Sequence, residues 1–246
     1  MAIVSDKPDY IPGDLESVKY QSRSEPYRQS IQKMKELGFT FEDLIQGFPA
    51  FSGHMTLIRF LSLYELYKRT LGLSGHVAEV GVYKGAASIL FAKLVQIFEP
   101  NALTQVHGFD WFQGMTPGDD DHNLIESSYQ EPEARLRALI ECQQLDPILK
   151  IHSLDVTREI DDFFVSHPHL RFKLIFLDCG TYAVTRKALE AFWPRLAIGG
   201  ILILDQYNFE LAPGETRAVQ DVLPFARVET LPFGWMPTGF IVKSAP

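Results

Sequence analysis

The sequence predicts an α/β protein: a doubly wound, mostly parallel sheet of seven strands, preceded by helices and closed by a C-terminal antiparallel hairpin. Three observations carry this. Short apolar segments alternate with segments whose apolar residues recur at helical spacing, the pattern of successive βαβ units. Leu174-Ile-Phe-Leu177 and Ile201-Leu-Ile-Leu204 are apolar at every position, as strands covered on both faces are. Acidic residues end or follow strand after strand, on the edge where open α/β sheets bind ligands.

The elements follow in order. Residues 1–25, with Pro8, Pro12 and Gly13 and no hydrophobic period, read as an extended or partly ordered arm. Residues 26–246 read as one domain, a helical extension over 26–72 and a core over 73–246. The extension holds helices over 29–46 and 55–70, the second with Leu57, Phe60, Leu61, Tyr64 and Tyr67 on one face. The core opens with a strand at 76–82, a glycine-bearing turn and an apolar helix over 86–98. Strands at 105–110, 148–153, 172–178 and 200–205 then alternate with helices at 131–143, 156–165 and 184–193. Residues 226–231 and 239–243 read as the two hairpin strands, around Pro232, Gly234 and Pro237.

Composition narrows the function. In 246 residues, 23 Lys and Arg stand against 31 Asp and Glu, a net charge of −8 that offers no footprint for a phosphate backbone. Nucleic acid is therefore not expected as a partner, and a small molecule is. Cys142 and Cys179 have no metal or disulfide spacing, which suits a reducing compartment. Neither a signal peptide nor an apolar run of membrane-spanning length is read, so the expectation is a cytoplasmic protein without a membrane partner. The arm and helices before the core offer surface for a homo-oligomer.

The strand ends carry the chemistry. Glu79 and Gly81 end the first strand, Asp110 the second, Asp155 follows the third, Asp178 ends the fourth and Asp205 the fifth. Any one of these acids is as readily a turn or helix cap; their succession points to a ligand. In Glu79-Val-Gly-Val-Tyr-Lys-Gly85 two glycines let backbone approach a ligand at a helix N-terminus, though the third close glycine of a dinucleotide fingerprint is missing. Asp110 suits the hydroxyls of a ribose.

These segments carry a resemblance. Arg59-Phe-Leu-Ser-Leu-Tyr-Glu-Leu-Tyr67, the Gly75–Gly85 segment, Gly108-Phe-Asp-Trp-Phe-Gln-Gly114, Leu177-Asp-Cys-Gly-Thr-Tyr182, Gly199-Gly-Ile-Leu-Ile-Leu-Asp-Gln-Tyr207 and Pro213-Gly-Glu215 occur in an order that resembles class I S-adenosylmethionine-dependent methyltransferases with a Rossmann-like fold. Within them the chain is most similar to the macrocin O-methyltransferase, or TylF-like, family of natural-product sugar methyltransferases. The resemblance implies that Glu79, Gly81 and Gly85 shape the methionine and adenosyl pocket, that Asp110 holds the ribose, and that Asp155 and Val156 edge the adenine. Tyr83, Ser88, Trp111 and Asp178 complete the implied cofactor-binding set.

Related enzymes, by the same resemblance, place a second Asp two residues after the first on the fourth strand and two adjacent acids after the fifth, binding magnesium and supplying a base. Here Gly180 and Asp205-Gln206 stand in those places. The metal set that remains is Asp178, Asp205 and Gln206, and the catalytic candidates are Asp178, His122 and Tyr182. His107 reads more readily as a core histidine, Asp119-Asp-Asp121 as a solvated turn, and Trp111, Phe112, Phe233 and Trp235 as core or as the floor of an acceptor pocket. The expected reaction is methyl transfer from S-adenosylmethionine to a hydroxyl of a sugar or other small secondary metabolite. The alternatives are a metal-independent or cephalosporin-hydroxylase-like reaction on the same scaffold (phenol, carboxyl or nitrogen methylation included), a non-catalytic adenosyl-binding module, and a dehydrogenase.

Overall fold

A computed structural model describes residues 21–121 and 124–244. Residues 1–20, most of the expected arm, and the catalytic candidate His122 lie outside them. The chain divides into two units, Met1–Leu57 and Ile58–Pro246. In the first, α1 (Gln21–Glu36), α2 (Phe41–Gln46) and α3 (Phe48–Phe51) replace the single helix expected over 29–46. The break comes where Gly38 takes a φ of 74° and Thr40 starts α2 with a capping box: Asp43 N–H donates to the Thr40 hydroxyl (3.1 Å) while Thr40 N–H donates to the Asp43 carboxylate (2.9 Å). Helix α4 (His54–Arg69) follows.

The second unit contains a six-stranded sheet of β1 (His76–Val80), β2 (Val106–Asp110), β3 (Leu149–Ser153), β4 (Phe172–Leu177), β5 (Leu196–Leu204) and β6 (Gly239–Val242). Its order is β3-β2-β1-β4-β5-β6, with β6 antiparallel to β5 and all other pairs parallel. Strand residues alternate between two apolar layers. Val77, Leu174, Phe176, Ile201 and Ile203 face one, with α4 and α5 (Ala86–Phe98); Ala78, Val80, Ile175, Leu177, Leu202 and Leu204 face the other, with α7 (Val156–Ser166), α8 (Tyr182–Phe192) and α9 (Pro213–Val222). Helix α6 (Glu133–Cys142) lies between β2 and β3 in the chain. The chain runs outward from β1 to β3 and returns to β4, so the crevice of the switch point opens at the carboxyl ends of β1 and β4.

Two expectations need correction. The described residues form six strands, because the segment 226–231 pairs with β6 only at a bridge between Glu229 and Phe240. The ladder stops there because Thr238 N–H donates to the Leu204 and Asp205 carbonyls instead of to Leu231. The terminal antiparallel pair is thus β5–β6, with α9 between its strands. The buried face of α4 is Ser62, Leu63, Leu66 and Tyr67, while Leu61 is 53% exposed; the apolar stripe is rotated from the one expected. Helix α9 lies in a segment where the sequence pattern predicts no element. No helix among the described residues is long and apolar enough to cross a membrane.

On one side of the sheet His107 stacks on His152, with His107 Nδ1 3.0 Å from His152 Nε2, and His76 meets His107 edge to face. Burial, reinforced by neighbouring histidines, brings His107 down to about 3 and His152 to about 4, so the stack is neutral at pH 7.

Candidate active site

The glycine turn after β1 brings two strand ends into contact. Gly81 has a φ of 92°, and a Cβ there would lie 2.1 Å from the Asp178 carbonyl oxygen. Only glycine permits that approach. Glu79, 1% exposed, accepts from the Ser88 hydroxyl on α5; burial pushes its carboxyl well above the ordinary range, against the pull of Ser88. Gly85 is the N-cap of α5, so no side chain caps that end.

Asp110 accepts three backbone N–H groups: Val82 and Tyr83 at 2.8 Å on one oxygen and Phe112 at 2.7 Å on the other. It fastens the glycine turn to the end of β2, and Oδ1, with one backbone donor, keeps capacity for a second hydrogen bond. Trp111 donates its indole N–H to the Gly114 carbonyl at 2.6 Å, and Phe112 is buried in the core. Asp155 is the N-cap of α7, accepting from Thr157 N–H at 2.9 Å, and Val156 is buried behind it.

The decisive arrangement joins β4 and β5. Leu177 and Leu204 are register partners, which sets Asp178 beside Asp205. Arg59 reaches both from α4, Nη2 donating to Asp178 Oδ2 at 2.6 Å and Nη1 to Asp205 Oδ1 at 2.5 Å. Its side chain is 25% exposed and lies over the Phe176 ring at 5.4 Å. Burial disfavours the Arg59 charge, but Asp205 and then Asp178 outweigh it and the guanidinium is held protonated. Burial, then the Asp205 charge, pushes Asp178 well above the ordinary carboxylate range, Arg59 opposing.

Three buried oxygens beside this pair have no hydrogen-bond partner: Thr181 Oγ1, Gln206 Oε1 and Glu215 Oε2. Glu215, fully buried on α9, accepts Gln206 N–H at 2.9 Å through its other oxygen. Burial, and then Asp205, raises its carboxyl far above the usual range. Buried unsatisfied oxygens in a native site call for a missing partner.

Two expectations fail here. The Tyr182 hydroxyl donates to Asp221 at 2.8 Å and accepts from Arg186 at 3.1 Å on the exposed faces of α8 and α9, so it is committed elsewhere and is no candidate base. The acid run 119–121 is not simply solvated, since Asp121 is 1% exposed and accepts Tyr182 N–H at 3.0 Å. Asp178, Asp205 and Gln206 do come together, but not as a fit for a divalent ion. The facing carboxylate oxygens hold a guanidinium, and unit charges about 4 Å apart interact by about 4 kcal/mol at an effective dielectric of about 20, a repulsion that a divalent ion doubles. Among the described residues no group of three or more His, Cys, Asp or Glu side chains is placed to hold a metal.

Arg59 and Glu215 are the residues that sequence reasoning missed. Arg59 had a legible signal: counted with Ser62, Leu63, Leu66 and Tyr67 it falls on the buried face of α4, and a charge there requires a partner.

Residues 78–207, more than half of the chain, match the family described as a methyltransferase domain. The chain belongs to that methyltransferase family. The 4'-O-methyltransferase of 8-demethyl-8-(2,3-dimethoxy-alpha-L-rhamnosyl)-tetracenomycin C from Streptomyces olivaceus is 28% identical over 145 residues, covering 56% of this methyltransferase and 55% of that relative. The chain therefore aligns with about half the length of that curated relative. Two solved structures share the fold: CalS11, a calicheamicin methyltransferase, with a TM-score of 0.78 at 22% identity over 97% of this chain and 99% of that one, and the O-methyltransferase NovP, with 0.64 at 18% over 76% and 80%. The six-stranded sheet is thus a Rossmann-like methyltransferase fold.

Proposed function

We propose that this methyltransferase uses S-adenosylmethionine to methylate a hydroxyl of a sugar or related small natural product, as TylF-like enzymes do, with residues 26–72 as the helical extension of one catalytic domain. The observation that carries the reading is the switch-point crevice. There the Glu79–Gly85 turn, fixed by Asp110, faces a carboxylate pair at the ends of β4 and β5. The curated relative, named as a rhamnosyl 4'-O-methyltransferase, supports the acceptor class.

The crevice residues fit the cofactor: a buried acid at Glu79, a close approach of the β1 and β4 ends that only glycine permits at Gly81, an uncapped helix N-terminus at Gly85, and Asp110 with acceptor capacity remaining. When bound, S-adenosylmethionine supplies a methyl group on a sulfonium, which leaves as a thioether with the carbon–sulfur electron pair. Asp178 accepts the proton of the acceptor hydroxyl as its oxygen takes the methyl. A carboxylate raised toward neutrality by burial and a neighbouring acid is matched to that task. The unpartnered oxygens of Thr181, Gln206 and Glu215 are closed to solvent, so they meet the acceptor's other hydroxyls only where the site opens to admit it. No step is routed through a metal.

The test is calorimetric titration with S-adenosylhomocysteine, with magnesium and with chelator. Micromolar binding, about −8 kcal/mol, supports the reading; no binding in either condition overturns it. Methylation of a panel of free and nucleotide-linked deoxysugars then tests the acceptor class.

A further inference from the structure

The same centre raises the question of what holds two neighbouring carboxylates together. A cation serving both must sit between the oxygens that face each other, Asp178 Oδ2 and Asp205 Oδ1, and that place is filled by one guanidinium whose two terminal nitrogens each take one oxygen. The guanidinium is anchored from below, because Arg59 rises from the face of α4 that buries Leu63, Leu66 and Tyr67, and is backed by the Phe176 ring.

A neighbouring position is crowded by the Gln206 side chain. A Cβ on Gly180 would lie 2.8 Å from Gln206 Oε1 and 3.0 Å from the Met115 methyl, and Gly180 has a φ of 65° that side chains rarely adopt. An acid cannot stand there while Gln206 keeps its place.

We propose that Arg59 is the resident cation of this centre, a fixed single positive charge that takes the place of a divalent ion between Asp178 and Asp205 and makes the site metal-independent. The guanidinium keeps the Asp178 carboxylate available as a base and leaves N–H donors for the acceptor oxygen as charge develops on it. A guanidinium cannot be stripped by a chelator, and it accepts none of the geometries of a hydrated ion. This inference deepens the methyltransferase reading and rests on it for the acceptor, but the occupancy of the carboxylate pair can be tested without an acceptor.

The experiment titrates manganese into the full chain, followed by the electron paramagnetic resonance of the free ion. Wild type is expected to bind no manganese at the pair, whereas Arg59→Met gains one equivalent, at least about tenfold tighter than any wild-type binding. Adding Asp205→Asn to Arg59→Met removes the gain. Arg59→Lys, which keeps a cation on α4, gains none, and Arg59→Ala serves if the Met variant does not fold. Binding of one manganese by wild type that Asp178→Asn or Asp205→Asn abolishes overturns the proposal, and so does the absence of a gain in folded Arg59→Met and Arg59→Ala. Binding of S-adenosylhomocysteine by wild type is measured in parallel with chelator. Its failure overturns the methyltransferase reading alone and leaves the manganese result to stand or fall separately.

Discussion

Strand β4 meets a cation at each end, and both contacts involve the buried face of α4. At the amino end Lys173, with a side chain 0% exposed, donates to Glu99 at 2.5 Å, while Tyr67 and Thr104 also donate to Glu99. Burial works against the Glu99 charge, but Lys173 and the two hydroxyls outweigh it and hold its carboxyl below the ordinary range. At the carboxyl end Arg59 holds Asp178 and Asp205, but there Asp178 is raised, the arginine is partly exposed, and three neighbouring oxygens lack partners. The two networks use similar residues to opposite ends. The closed one has settled every charge and serves the fold, whereas the open one keeps a perturbed acid and unmet hydrogen bonds for a ligand.

That contrast is broken most severely by Glu99→Gln. Lys173 would be left charged and uncompensated at the base of the sheet, at a cost of about 3–5 kcal/mol, read as a lowered urea midpoint. The equivalent loss at the open end, Arg59→Met, is expected to cost less than this, because two adjacent carboxyls without their cation can share a proton. Measuring both variants in one denaturation series decides whether the distinction holds.

Asp110→Ala is expected to weaken S-adenosylhomocysteine binding about 100-fold, roughly 2.7 kcal/mol, because it frees three backbone N–H groups that shape the turn as well as the proposed ribose contact. Asp178→Asn should change that affinity by less than about threefold and abolish methyl transfer. Equal losses of affinity would contradict the division between the binding acid and the reacting acid.

A third expectation concerns pH. Carbon-detected NMR of the aspartate carboxyls should find Asp178 titrating well above the ordinary carboxylate range, and the transfer rate should rise with pH through that same midpoint, since only the deprotonated form accepts a proton. Arg59→Met moves the midpoint further up by removing the charge that opposes the shift.

The smallest effect belongs to the histidine stack. A histidine held near 3 when folded and near 6.5 when unfolded contributes stability that is present above about pH 6.5 and declines as pH falls from there toward the folded value. The slope is on the order of 1 kcal/mol per pH unit for each such group. Glu79, Glu215 and Asp178, all raised, act with the opposite sign in that window. The expected result is therefore comparative: the melting temperature of His107→Phe falls less than that of wild type between pH 6.5 and 5.

The sheet was legible in the sequence because residues 174–177 and 201–204 are apolar at every position and short apolar segments alternate with amphipathic helices. The acids at the strand ends were legible because a parallel sheet presents the carboxyl ends of its strands along one edge. What escaped was set by side chains acting across the fold. The stripe on α4 predicted from Leu57, Phe60, Leu61, Tyr64 and Tyr67 is centred roughly a third of a turn round the helix from the buried Ser62, Leu63, Leu66 and Tyr67, which leaves Arg59 outside the predicted core face. Helix α9 begins at a proline in a polar stretch with a mean hydropathy too low to announce burial, so Glu215 went unnoticed. Tyr182 was placed by its neighbours in the chain, while its hydroxyl is directed by Asp221, 39 residues away.

Gly180 and Gln206 make each other's identity difficult to change. A carboxylate introduced at 180 meets both an unfavourable φ and the amide oxygen of Gln206, while an acid introduced first at 206 joins Asp205, Asp178 and Glu215 around the single charge of Arg59. Either single replacement is unfavourable alone, so the two positions are expected to be inherited together and to show strong epistasis when varied singly and in combination. A sequence that has arrived at this pair is insulated from drifting, one substitution at a time, toward a site with a third acid.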